Sequence, residues 1–289
     1  MLKQRIITAV VLLAILLPAL FYPSRVPFTC VMLVLIGAAA WEWGRLNGYG
    51  PRMSVFLGVE MVLLCALSWW LGLLEQRLLG VWIAASAAWV LGGAALLRGG
   101  VPGWPRVPRG VRLVAGLLAL WVAWLAAVQA RTVGGVALGG INFLLSLLVL
   151  VWVADVFAYF AGRRFGLKFT RNKLAPSISP GKSWEGVWGG MVGVLVLALA
   201  WVWADASSQA TVASLYTRLA ARGWWLLLIG VVFLAAMSVV GDLVESLVKR
   251  SAGAKDSSSL LPGHGGVLDR IDALLPTLPI AMMLASLWS

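Results

Sequence analysis

The strongest constraint on this chain is a succession of apolar runs, each long enough to cross a bilayer. A spanning helix needs about 20 mostly apolar residues. Nine windows qualify, at about 6–22, 27–44, 53–74, 78–97, 112–130, 141–162, 184–204, 224–247 and 267–288. Helices satisfy their own peptide groups inside lipid. The expected fold is therefore an all-α integral membrane protein of about nine transmembrane helices.

Composition supports this. Of 289 residues, 61% are hydrophobic and only 12% charged, whereas a soluble chain carries about 25% charge. Mean hydropathy is +0.94. Soluble, disordered, collagen-like and disulfide-stapled chains are excluded. Cys30 and Cys65 lie inside apolar runs and offer neither a metal site nor a disulfide framework. The single histidine, His264, excludes a zinc site that needs two. Lys3 and Arg5 before the first run resemble a signal-peptide n-region, but no clear small-residue cleavage site follows. An uncleaved first span is expected.

Charge sets the expected orientation. Counted on alternate sides of the nine spans, 17 Lys and Arg fall on the side of the N-terminus and 5 on the other, with Arg270 inside the ninth run. The positive-inside rule then places the N-terminus in the cytoplasm and the C-terminus outside. It also explains much of the net charge of +12. A basic cytoplasmic face suits anionic headgroups or nucleotides equally, so charge alone selects no partner. No internal repeat is apparent, which weakens an inverted-repeat transporter. Trp41, Trp184, Trp224 and Trp288 stand near span ends and read as interfacial anchors.

The polar chemistry collects late in the chain. Eight of the 11 acidic residues, including all six aspartates, follow residue 150. Residues 1–135 therefore read as a transmembrane scaffold of about five helices. Residues 136–289 read as the catalytic region, with about four helices and two cytoplasmic loops. Carboxylates inside spans are costly and face a partner, a metal or water. Asp155 has Tyr159 one turn later on the same face. Asp242, Glu245, Ser246 and Lys249 form one polar stripe at i, i+3, i+4 and i+7. Asp269 and Asp272 repeat the i, i+3 spacing at the start of the ninth run. Glu42, between Trp41 and Trp43, reads as an anchor or a helix-packing partner.

Two loops join these helices. One runs from Arg163 and Arg164 to Ser179, Lys182, Glu185 and Gly186, and the other from Lys249 and Arg250 through Lys255 and Asp256 to His264, Gly265 and Gly266. Glycines allow close backbone approach, while hydroxyls and cations suit phosphate oxygens. Carboxylates, cations and glycines together are the parts for metal-assisted phosphoryl or nucleotidyl transfer. Gly181-Lys182-Ser183 ends like a phosphate-binding loop, but Pro176 stands where its first glycine belongs. No H-E-x-x-H motif is present.

At this point the sequence resembles a known family. Residues 246–272 read Ser246-x-x-Lys249-Arg250, four residues, Lys255-Asp256-x-Ser258, two residues, then Leu261-Pro262-x-His264-Gly265-Gly266-Val267-x-Asp269-Arg270-Ile271-Asp272. This is similar to the signature of the CDP-diacylglycerol synthase, or phosphatidate cytidylyltransferase, family. Asp155 with Tyr159, Ser179-Pro180-x-Lys182-x-x-Glu185-Gly186, and Gly241-Asp242-x-x-x-Ser246 are also similar to it. Lys3-x-Arg5 and Trp41-Glu42-Trp43 look like its bacterial members. Departures are small. Ser258 stands where the family often has Gly, Ser183 where it often has Thr, and Gly181 where it often has a basic residue.

The resemblance implies a reaction of CTP with phosphatidic acid, giving CDP-diacylglycerol and pyrophosphate with Mg²⁺ and K⁺ as a further cation. It implies a homodimer in the bacterial inner membrane, multi-pass, with its site facing the cytoplasm and no nucleic-acid partner. Asp242 and Asp269 are the implied metal ligands. Asp256 reads equally as a second ligand or as a partner of Lys255 or Lys249. Lys249, Arg250, Lys255 and Arg270 read as phosphate clamps, Arg270 alternatively as a salt bridge to Asp269 and Asp272. Ser179 and Lys182 are candidates for the nucleotide or the lipid headgroup, and His264 for donating to or protonating pyrophosphate. Asp155, Tyr159, Glu185, Ser246, Gly265 and Gly266 complete the substrate-binding set. A transporter would not need a dense signature at one membrane face. A CDP-alcohol phosphotransferase would carry D-G-x-x-A-R, which is absent.

Overall fold

A computed structural model describes residues 2–135 and 138–287. The expected division at 135/136 and the anchor Trp288 touch positions outside the described residues. The described chain is all-helical, and eight of its helices are long and apolar enough to cross a membrane. They are α1 (Leu2–Phe21), α2 (Val26–Leu46), α3 (Pro51–Trp70), α4 (Leu79–Gly103), α5 (Arg109–Thr132), α6 (Gly140–Phe165), α7 (Trp184–Ser208) and α9 (Trp224–Ser251). A short helix, α8 (Leu215–Arg222), links α7 to α9. Ser214 caps it by accepting from the Thr217 N–H.

The expected ninth run differs in detail. It divides into one turn, α10 (Leu268–Ile271), and α11 (Leu274–Ser286). At 13 residues, α11 is about 20 Å long, against a hydrocarbon core of about 30 Å. The break at Asp272 and Ala273 is seated on α9. There a Cβ on Gly241 would lie 2.4 Å from the Asp272 carbonyl oxygen and 2.9 Å from Pro276. Only glycine lets the two backbones approach this closely.

α6 and α7 form the most extensively packed helix pair. Gly186, Gly189, Gly190 and Gly193 on α7 face Ala154, Phe157, Ala158 and Ala161 on α6, and a Cβ at Gly190 would stand 2.8 Å from the Ala154 carbonyl oxygen. Small residues four apart bring helix backbones together where apolar burial supplies no drive. At the far end of the bundle, Arg131 buries its guanidinium on the carbonyls of Leu20 and Tyr22, at 2.9 and 3.0 Å. It thereby satisfies the C-terminal end of α1.

The two regions pack as one body, with α11 against α4 and α5 as well as α9. Both signature loops meet at the end of the bundle where α1 begins and α2, α6 and α9 finish. Each is built around a proline turn. His264 N–H donates to the Leu261 carbonyl at 2.8 Å, and Ile178 N–H to the Ala175 carbonyl at 3.2 Å. In the first of these Gly263 adopts φ +76°, as a type II turn with Pro262 before it demands.

Candidate active site

The loop before α7 reaches α9 through one ion pair. Lys182 Nζ lies on Asp242 Oδ2, and Ser246 Oγ donates to the other carboxylate oxygen, Oδ1, at 3.3 Å. Both ionic side chains are about a quarter exposed. Asp155 lies on α6. Asp155, Tyr159 and Lys182 also line a cavity of about 360 Å³ between α6, α7 and α9. Its walls are mostly small or apolar, among them Ala154, Gly190 and Val239. Arg163 stands at its rim and donates to the Tyr159 hydroxyl at 3.3 Å.

A second cluster is nearly dry. Lys249 Nζ lies 2.5 Å from Glu245 Oε2 and 2.6 Å from Asp269 Oδ1. The other Asp269 oxygen, Oδ2, accepts from Ser257 N–H at 2.9 Å, Ser257 Oγ at 2.9 Å and Gly266 N–H at 2.7 Å. Asp269 and Asp272 lie outside the eight spanning helices. Burial acts to raise the Asp269 carboxyl, but the Lys249 ammonium and the Gly266 N–H hold it down at about 2. Burial, with the Asp242 carboxylate beside it, pushes the Asp272 carboxyl up to about 7.

The remaining sequence-derived candidates take various places. Lys249 is a buried bridge between carboxylates, not an open clamp. Arg250 donates to the Ala254 carbonyl at 3.0 Å, and so closes the end of α9. Lys255, Asp256 and Arg270 are exposed. Asp256 forms no ion pair with Lys255 or Lys249, and Arg270 none with Asp269 or Asp272, among the described residues. His264 is half-buried with Nδ1 shielded and unpartnered. Gly265 has φ +84°, and a Cβ there would meet Asp269 Oδ2 at 2.6 Å. Glu185 is buried, and its Oε1 accepts from Phe169 N–H, Thr170 N–H and Thr170 Oγ1, which pins that loop. Ser179 N–H donates to the Ala175 carbonyl at 2.8 Å, closing the first proline turn.

Three contributors escaped the sequence reading. Spacing places Glu245 in the polar stripe without a role and Arg163 only in a loop. In the sequence Glu42 reads as an anchor or a helix-packing partner. Its carboxylate instead bonds to the second signature loop, more than 200 positions away. A buried acid in an apolar span was the available signal.

Among the described residues no three Asp, Glu, His or Cys side chains form a ready metal cage. Mg²⁺ does not need one, since one or two carboxylates plus substrate phosphates suffice. Asp242 Oδ2 and Asp269 Oδ1 each have a lysine ammonium as partner, a cation standing where a metal would balance the same charge. The donor set therefore fits Mg²⁺.

The cytidylyltransferase family profile matches residues 3–288 of the chain. Over its whole length the chain is 40% identical to a phosphatidate cytidylyltransferase of Pseudomonas aeruginosa, covering 99% of that protein. It is 38% identical to one from Haemophilus influenzae over 96% of each chain, and 32% identical to one from Brucella abortus over 100% of this chain and 94% of the other.

Proposed function

The chain belongs to the cytidylyltransferase family and is a nucleotidyltransferase of phospholipid synthesis; from that premise we propose that it condenses CTP with phosphatidic acid to give CDP-diacylglycerol and pyrophosphate. One observation carries this reading. Lys182 both lines the apolar cavity and pairs with Asp242. A lipid whose tail lies among small residues of α6 and α7 thus brings its phosphate to a cation beside the carboxylates.

The lipid phosphate is an anion near neutral pH and needs no strong base. Its oxygen attacks the α-phosphorus of CTP, the bond to the β-phosphate breaks, and pyrophosphate leaves with that electron pair. The task for the protein is to hold two polyanions together. Lys182 and Arg163 face the cavity end where a headgroup lies. The exposed Lys255 and Arg270 are free to contact the triphosphate. Asp242 and Asp269 would hold Mg²⁺, which supplies charge neutralisation on the reacting phosphates. Lys182 is placed to turn from Asp242 to the lipid phosphate. Tyr159 orients Arg163 through its hydroxyl.

We place this chemistry at the cytoplasmic face of a bacterial inner membrane, where the basic excess collects, in a homodimer with K⁺ as a further cation. The test is incubation of the purified protein with CTP, phosphatidic acid and Mg²⁺, with mass detection of the lipid product. CDP-diacylglycerol formed one-for-one with pyrophosphate is expected. CTP left intact by folded protein in the presence of lipid and Mg²⁺ overturns the reading.

A further inference from the structure

Glu42 lies on α2, one turn before its end, and is fully buried. Four donors surround its two carboxylate oxygens, none from its own region, and one of them, the Ser257 hydroxyl, is shared with Asp269. Ser258 Oγ donates at 2.5 Å and Val267 N–H at 3.0 Å to Oε1, and Ser257 Oγ at 3.1 Å and Leu268 N–H at 2.7 Å to Oε2. It pairs with no lysine or arginine among the described residues. Buried carboxylate oxygens are costly without partners, and two backbone N–H groups, the Ser258 hydroxyl and the shared Ser257 hydroxyl supply them.

The donors identify the task. Val267 and Leu268 open α10, where N–H groups have no partner within the helix. An N-cap side chain would serve them, but the side chain of Val267 carries no oxygen. Glu42 supplies the cap from the other half of the chain. It also closes over Gly266, where a Cβ would lie 2.4 Å from Glu42 Oε1 and 2.0 Å from Ser257 Oγ. Asp269 binds the same two loop ends from the opposite side through Ser257 and Gly266. α1 holds the tip, with Arg5 Nε donating to the Gly263 carbonyl at 2.9 Å and Thr8 Oγ1 to the Pro262 carbonyl at 2.8 Å.

We propose that Glu42 is a positioning residue for the cytidylyl-transfer step, fixing the loop and α10, which carry Asp256, His264, Asp269 and Arg270, in register with Asp242 on α9. The inference rests on the function proposed above. Glu42 does not touch substrate. It acts through Ser257, Ser258 and the first N–H groups of α10.

The experiment compares wild type, Glu42→Gln, Glu42→Asp and Ser257→Ala, with Glu60→Gln as an exposed carboxylate control on α3. Gln keeps the size of Glu but turns one acceptor into a donor, and a backbone N–H cannot reverse to suit it. Glu42→Gln is expected to fold and to lower kcat about 10²-fold, the scale of a misplacement near 1 Å. KM for phosphatidic acid should stay within about twofold, since uniform binding is not what was removed. Glu42→Asp, which keeps the charge, should recover part of the loss. Ser257→Ala should lower kcat in the same direction, and Glu60→Gln should match wild type. Wild-type kcat in folded Glu42→Gln overturns the proposal, as does reduced yield with normal kcat in the surviving enzyme. Should Glu42→Gln fail to fold, normal kcat in Ser257→Ala overturns it instead. An inactive wild type rejects the proposed function itself, a separate result.

Discussion

Lys182 and Asp242 are 60 positions apart in sequence and form an ion pair that ties the loop before α7 to the polar stripe of α9. This contact joins the apolar cavity to the carboxylates. It brings together one group suited to a phosphate and one suited to a metal.

With Asp242 proposed as a Mg²⁺ ligand, Asp242→Asn should lower turnover by roughly 10³-fold. The pair is partly exposed, so stability should change by less than about 1 kcal/mol. Lys182→Ala should raise KM for phosphatidic acid as well as lower kcat. Steady-state kinetics with each substrate varied in turn, alongside thermal unfolding in detergent, checks both. Normal Mg²⁺-dependent turnover in folded Asp242→Asn would remove it from the metal assignment.

Asp269 couples stability to pH. Its folded carboxyl is held at about 2, below the ordinary 3.8. A depressed carboxylate contributes stability that is present above about 3.8 and is lost as pH falls through about 2. Asp269→Asn leaves Lys249 buried with only Glu245, a change expected to cost about 3 kcal/mol at neutral pH. The gap in unfolding midpoint between wild type and variant should close as pH falls through that window. A gap unchanged from pH 5 to pH 2 contradicts the assignment.

Gly266→Ala should be severe for a steric reason. The new Cβ would stand 2.0 Å from Ser257 Oγ, and no hydroxyl rotation clears the Glu42 oxygen as well. An overpacking cost of about 1–3 kcal/mol is expected, with turnover falling more than stability accounts for. Folded fraction by gel filtration and activity per folded molecule separate the two.

Topology is open to chemical labelling. Ser177 and Ser259 are exposed on the two signature loops. In a background lacking the exposed Cys30, cysteines at these positions should react with an impermeant thiol reagent only in inside-out vesicles. Labelling of right-side-out vesicles at either position contradicts the cytoplasmic placement.

The local features of the chain were legible because their causes are local. A bilayer demands about 20 apolar residues per crossing, so eight spans can be read one window at a time, and the dense run from Ser246 to Asp272 marks the family without any fold. The ninth run shows the limit. Hydropathy continues through Asp272 and Ala273, but the helix breaks there, where Gly241 on α9 lets another backbone approach. The partners of the charged residues were equally out of reach. Lys249 looked like a phosphate clamp and is a buried bridge between Glu245 and Asp269. Glu42 looked like an anchor and holds the signature loop. A carboxylate's role depends on which donors surround it, and those donors stand up to 226 positions away in sequence. Spacing within one helix specifies a face, but only the packing of α2, α9 and α10 decides what that face meets.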